Sequence, residues 1–402
     1  MKRSENIIKV LMAVLAVSGC IRDDIHDEYP IPVTNEWYRI VTTDTISTAQ
    51  MISSISGSFS IPLGPDMVHT SFQYHSVNGS DTVTLSGAVC WPVGMEICSA
   101  IWLDSHIFST GWYECPSQTP QPGMIISSCN NYVFIGADYQ GQGLSRNLPH
   151  PYLNTVLKAS QSIDCFKAAL TLIRDTGPTL ERDYDTYNVG YSLGGAVAMG
   201  IARQVELNPQ LQSIMHIRKS FCGGGPYDQN ALFRHFLKTP DENLDYPIEF
   251  LCAIISLHRS YNSCIRQYSY SSLFTDKLLN SGVIEQLETH EYTTSQINNM
   301  LSRSGCTSLR DILTPQVLNQ ESEVYRDIID EIKKLDLTTG WSPSIPILFR
   351  HSKADTYVPI ECMESVQANM HDNPNITYQT IESGSHFEEG IRFYISFLAG
   401  AY

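Results

Sequence analysis

Two stretches, 66–76 and 81–91, carry apolar and β-branched residues on either side of Asn78-Gly79-Ser80. Strand-forming runs around a Gly-containing turn predict a β-hairpin. Ser99 to Leu103 and Tyr132 to Ala137 are short, apolar and without clean alternation. That is the pattern of strands covered on both faces of a parallel sheet. Between them, Pro120 and Pro122 open a predicted helix over 120–129. From 155 to 175 apolar residues recur at helical spacing (Val156, Ile163, Phe166, Leu170, Ile173). Thr186 to Val189 reads as another short strand and Leu193 to Val205 as a helix rich in small residues. Strands alternating with helices predict an α/β domain whose sheet is mostly parallel and doubly wound, with an antiparallel hairpin at its N-terminal side.

The pattern changes at Pro226. From there to Gly340 the chain reads helical and polar, punctuated by Gly282, Gly305 and Pro315. A strand-like run then returns at Ile345 to Phe349, followed by a helix near 360–371 and a last strand, Ile376 to Ile381. The simplest account is a core of 46–225 and 341–402 interrupted by a helical cap, 226–340. The apolar cap residues Phe233, Phe236, Phe250, Leu251, Ile254, Ile255 and Leu257 are expected to form mainly the cap's own core, with an acyl or aryl pocket as the alternative. No internal repeat and no low-complexity tract appears.

The first residues read as an address. Lys2 and Arg3 precede an apolar run, Val10 to Val17, and small residues before Cys20. This is the layout of a secretory signal, 1–19, and the run is too short to span a bilayer. Val17-Ser18-Gly19-Cys20 resembles the bacterial lipobox. That resemblance implies lipidation of Cys20 and a protein anchored in the bacterial cell envelope, on the periplasmic or cell-surface face of the outer membrane. Residues 20–45, with Asp23, Asp24, Asp27 and Glu28, then read as a solvated tether.

Composition narrows the partners. The chain has 402 residues, 42% hydrophobic and 17% charged, enough for a large core and too apolar for disorder. Its formal charge of −16 argues against nucleic acid, which needs a basic surface. No internal apolar stretch is long enough for a polytopic membrane protein, so membrane contact is expected only through the lipid anchor. Ten cysteines besides Cys20 show no metal-type spacing, so no metal is expected. An exported chain can oxidise cysteines, and their pairing stays open, although Cys165 and Cys252 lie in apolar helical patterns and read as buried thiols.

Gly190-Tyr191-Ser192-Leu193-Gly194-Gly195 fits G-x-S-x-G between a strand and a helix rich in Ala and Gly. So sharp a turn strains the serine backbone and demands small neighbours. Ser192 then stands at a helix N-terminus, where the Leu193 N–H is placed to stabilise an oxyanion. A serine hydroxyl needs a base, and the base needs an acid to orient it. In chain order, Asp355 follows the strand Ile345–Phe349 and His386 follows Ile376–Ile381, both at strand C-terminal ends. His351 and His371 are rival bases; the first is expected to pack beside the loop and the second to be exposed. Asp138 precedes Ser192 and reads as a structural turn.

Together these residues resemble the α/β-hydrolase superfamily. Tyr132-Val-Phe-Ile-Gly-Ala-Asp-Tyr-Gln-Gly-Gln-Gly143, followed by His150-Pro-Tyr-Leu153, is similar to the secretory lipase/esterase family of lipase-A-like enzymes and secreted bacterial esterases. The resemblance covers roughly 60–225 and 340–398, with the insertion where the family carries its lid. It implies hydrolysis of a small-molecule or glycan carboxylic ester by Ser192, His386 and Asp355, without a cofactor. It also implies that Asp104, or the main chain at Ser105, supplies the second oxyanion donor. A serine peptidase on the same fold, acyl transfer to an alcohol, and a catalytically degenerate binding lipoprotein are the competing readings.

Overall fold

A computed structural model describes residues 36–55 and 63–400. The signal segment, Cys20 and the acidic residues 23–28 lie outside the described residues.

Among the described residues nine strands form one sheet: β1 (Tyr38–Ile46), β2 (Met67–Asn78), β3 (Asp81–Pro92), β4 (Ile97–Ser105), β5 (Val133–Ala137), β6 (Thr179–Tyr191), β7 (Ile217–Gly223), β8 (Ile347–Ser352) and β9 (Ile376–Ile381). Their order is β1-β2-β3-β5-β4-β6-β7-β8-β9. The β1–β2, β2–β3 and β3–β5 pairs are antiparallel; from β5 across to β9 every pair is parallel. The expected hairpin is β2–β3, closed by Gly79-Ser80 between the paired Asn78 and Asp81, with Gly79 at φ +64°.

Three strands differ from the sequence reading: β7, which it did not include, β1 and β6. Residues 38–45, expected in the tether, belong to β1, which runs along β2. Only Tyr38 of this strand is buried, so hydrophobic alternation is faint there and β-branched Val41, Thr42, Thr43 and Thr45 carry the signal. β6 begins at Thr179, seven residues before the expected start. Its first half, including Glu181, Arg182 and Asp183, is largely solvent-facing and pairs with the start of β4.

Helices cover both faces of the sheet. The helices Thr155–Thr176 and Leu193–Leu207 pack Ile163, Phe166, Val197 and Ile201 onto Ile101, Leu103 and Ile135. They approach closely because both present small residues: a Cβ at Gly200 would stand 2.9 Å from the Ala159 Cβ. On the other face, Pro122–Asn130 and His386–Leu398 bury Met124, Ile391 and Phe393 against Trp102 and Phe134. Alternating strand residues therefore feed two separate cores.

Between β7 and β8 the chain forms a run of helices from Gln229 to Lys333. Phe233, Phe250, Leu251, Ile254, Ile255 and Leu257 are buried there and Phe236 is half-buried against them; they belong to the same continuous apolar cluster as Ile101 and Leu103 of the sheet rather than to a core of their own. Gln229 Nε2 donates to the Leu153 carbonyl at 2.6 Å and Ser256 Oγ to the Pro151 carbonyl at 2.7 Å, tying the cap to the domain below. Cys165 and Cys252 are buried thiols, as expected.

Candidate active site

The strand-to-helix turn at Ser192 is built by exclusion. Ser192 sits between β6 and the helix Leu193–Leu207 with φ 57° and ψ −131°, a backbone region costly for a residue with a Cβ. Its N–H donates to the Gly223 carbonyl on β7 at 2.9 Å, which pins the turn to the sheet. A Cβ at Gly190 would lie 2.0 Å from the Gly194 carbonyl oxygen. At Gly194 it would lie 1.9 Å from the Ser105 oxygen, and at Gly195 2.4 Å from the Gly223 oxygen. The three glycines are there because three backbones converge on the turn.

His386 is the first residue of the last helix. Ser385 caps that helix in a capping box with Glu388, which fixes where the helix begins and hence where the imidazole stands. The Tyr191 hydroxyl donates to the His386 carbonyl at 2.7 Å and holds the same backbone from below. The imidazole Nε2 lies 2.8 Å from Ser192 Oγ, and Nδ1 lies 2.6 Å from Asp355 Oδ2. The three residues, drawn from the ends of β6, β8 and β9, thus form one hydrogen-bonded chain.

Asp355 is held on its other side by the N–H groups of Tyr357 (2.9 Å) and Val358 (2.8 Å), both donating to Oδ1. Burial pushes its carboxyl up, but the charge and hydrogen bond of His386 outweigh that and keep it below the usual carboxylate range. It therefore stays ionised in a site where Ser192, Asp355 and His386 are all buried.

The expected rivals take structural places. His351 packs beside the loop, its Nε2 2.8 Å from the Val358 carbonyl. His371 is exposed beside Asp372. Asp138 is fully buried and braces a turn, accepting from Ser86 Oγ at 2.5 Å and the Ser117 N–H at 2.8 Å.

Leu193 opens its helix, so its N–H has no carbonyl four residues earlier to bond. Asp104 sits at the end of β4, paired in register with Val189, and Ser105 with Gly190, so this end of β4 runs beside the elbow. The Asp104 side chain turns toward Trp102, whose indole N–H donates to Oδ1 at 2.9 Å. Burial pushes its carboxyl up to about 7, against the lowering effect of that hydrogen bond. The Ser105 and His106 carbonyls are the atoms nearest to a Cβ at Gly194, so the main chain of this segment abuts the turn. Among the described residues no group of His, Cys, Asp and Glu is arranged to hold a metal.

Two neighbours escaped the sequence reading. Tyr357 stacks on His386, and Glu249, from the cap helix Ile248–Arg259, reaches Tyr357 and the vicinity of Asp355. Tyr246 and Phe387 pack edge-on or tilted against Tyr357 and complete an aromatic rim beside the imidazole. Tyr357 stands two residues after Asp355, so it had a local signal; Glu249 arrives only through the folding of the helical segment between β7 and β8.

No protein-family model and no curated protein matches the chain. Solved structures do. The rice cell wall degrading esterase LipA from Xanthomonas oryzae superposes with a TM-score of 0.70 at 19% identity, over 92% of this chain and 95% of that one. Candida antarctica lipase A superposes with a TM-score of 0.60 at 14% identity, over 86% and 77%. At such identities the likeness is one of fold.

Proposed function

We propose that this chain, which has the α/β-hydrolase fold, is an exported serine hydrolase of carboxylic esters. The observation that carries the reading is the continuous hydrogen-bonded chain Ser192 Oγ–His386–Asp355 on a strained strand-to-helix turn. The likeness to an esterase and a lipase supports the choice of ester over other acyl compounds.

In this reading His386 Nε2 takes the Ser192 proton as the oxygen attacks the ester carbonyl. The tetrahedral oxyanion receives the Leu193 N–H and a second donor from the end of β4 around Asp104. Asp355, ionised and held by two backbone N–H groups, stabilises the imidazolium and fixes its tautomer. His386 then returns the proton to the departing alcohol, leaving an acyl-serine. Water, deprotonated by the same imidazole, releases the acid and restores Ser192. The sequence calls on no metal or organic cofactor.

The test is to give purified residues 21–402 and its Ser192→Ala variant p-nitrophenyl acetate, butyrate and palmitate, with an aminoacyl-nitroanilide alongside. Ester turnover that disappears in the variant supports the reading, and the chain-length profile separates esterase from lipase. Anilide cleavage without ester turnover sinks it in favour of a peptidase. Lipidation at Cys20 belongs to the same proposal. A Cys20→Ala variant of the full chain should lose detergent-phase partitioning and radiolabelled fatty acid; retention of both would refute the anchor.

A further inference from the structure

Among the described residues an open cavity of about 660 Å³ lies where the core segment 146–149 meets the cap. That volume is typical of small-molecule sites. Its wall carries three guanidinium groups, Arg146, Arg259 and Arg266, and the imidazoles His258 and His290, against one acid, Glu288. In a chain of formal charge −16, this is a local reversal of sign.

The cations are not equivalent. Arg259 pairs with Glu288, so its charge is answered. Each imidazole has one ring nitrogen at 3.0 Å from a backbone carbonyl, His258 at Tyr268 and His290 at Arg146. Burial holds both rings below the usual histidine range, so they enter as neutral groups. Arg146 lies over the Trp112 ring, 4.7 Å from its centroid, which directs the side chain without neutralising it. Neither Arg146 nor Arg266 has a carboxylate within ion-pair distance among the described residues, and both are exposed. Two solvent-accessible guanidinium groups without acidic partners thus face one cavity.

The cavity is removed from the proposed catalytic residues. Glu249, beside Tyr357, and Arg259 lie at opposite ends of one cap helix, about 15 Å apart at 1.5 Å per residue.

We propose that this cavity binds a small organic oxyanion, a carboxylate- or phosphate-bearing molecule of about sugar size, clamped by Arg146 and Arg266. The guanidinium fork matches both oxyanions in bidentate geometry. Asn147, Thr289 and Tyr270 offer polar contacts to the body that carries the charge.

Isothermal titration of the intact protein at low salt and neutral pH tests this with inorganic phosphate, glucuronate, glucose 6-phosphate and glucose as probes. At least one anion should bind saturably and weaken with added salt, while glucose does not bind. Glucuronate alone would identify a sugar carboxylate, and the two phosphates a phosphoryl group. Arg146→Gln and Arg266→Gln should each weaken binding about tenfold or more. Lys353→Gln, at a distant exposed site, should not. Unchanged melting temperatures would show that the variants fold. No anion binding, binding of glucose as tight as that of the anions, or anion binding indifferent to both arginine variants would overturn the proposal. Because binding is read directly, the result is independent of whether Ser192 cleaves esters.

Discussion

The Tyr357 ring stacks on the His386 imidazole with centroids 4.7 Å apart and planes 25° from parallel, while its own backbone N–H donates to Asp355. One residue therefore braces both the proposed base and its acid. Tyr357→Ala removes the stack and lets the imidazole tilt. A displacement of that kind costs up to about 100-fold in turnover, chiefly in kcat. Tyr357→Phe keeps the ring and should retain most activity. Steady-state kinetics of the two variants on p-nitrophenyl butyrate decide the matter; equal loss in both would show that the hydroxyl, not the stack, is what counts.

Glu249 should make stability fall as pH rises. Burial and the neighbouring Asp355 push its carboxyl up to about 8, with the Tyr357 hydrogen bond opposing. In the unfolded chain it titrates near an ordinary glutamate value of about 4.3. Between those pH values the folded state holds a proton that the unfolded state has released. The resulting penalty is absent in acid and grows as pH rises toward 8, to the order of a few kcal/mol. Glu249→Gln mimics the protonated form. Its melting temperature should match wild type near pH 4 and exceed it at pH 8. Asp104, pushed up to about 7 by burial, titrates in the same direction, so the variant keeps part of the slope. Parallel pH curves for variant and wild type would refute the assignment.

The sequence made the central strands readable because they are apolar throughout, and left the others obscure for stated reasons. β7 carries Arg218, Lys219 and Ser220 in its first half, so no apolar run announces it. β1 has one buried residue, and the first half of β6 is polar. The proposed site was legible where backbone chemistry forces residue type: the glycines around Ser192 answer to carbonyls closer than 2.5 Å to where a Cβ would stand. Asp355 and His386 were legible from their places after strands. Glu249 was not, because a carboxyl in the first turn of an amphipathic helix looks like an ordinary N-terminal acid until the cap folds it against Tyr357.

The elbow should tolerate no side chain at Gly194. A Cβ there would meet the Ser105 oxygen at 1.9 Å and the His106 oxygen at 2.9 Å, and both are main-chain atoms at the end of a central strand. Gly194→Ala is expected to cost on the order of 4 kcal/mol or more, or to prevent recovery of folded protein. Gly94→Ala is the contrast. That position has positive φ, +84°, which Gly194 does not, and open space around it. It should cost only about 1–2 kcal/mol. Urea melts of the two variants distinguish crowding from backbone strain, and a mild effect at Gly194 would mean that β4 can retreat from the turn.

Asp355→Asn separates the tautomer from the fold. Tyr357 and Val358 donate to Oδ1, and an asparagine carbonyl still accepts both, so the loop should keep its shape. The amide nitrogen must then occupy the place of Oδ2 and point its N–H at His386 Nδ1. That favours the imidazole with its proton on Nε2, which cannot take the proton of Ser192. Turnover should fall by about 10⁴-fold with little change in structure. Stability should respond with a defined sign. The folded-state carboxyl lies below its unfolded value, so its contribution is present above about pH 4 and is lost as pH falls through the depressed folded value. Wild type should therefore exceed the variant in denaturant midpoint at pH 7, with the gap closing in strong acid. A gap that persists unchanged in acid would place the stabilisation elsewhere than in the ionised Asp355–His386 contact.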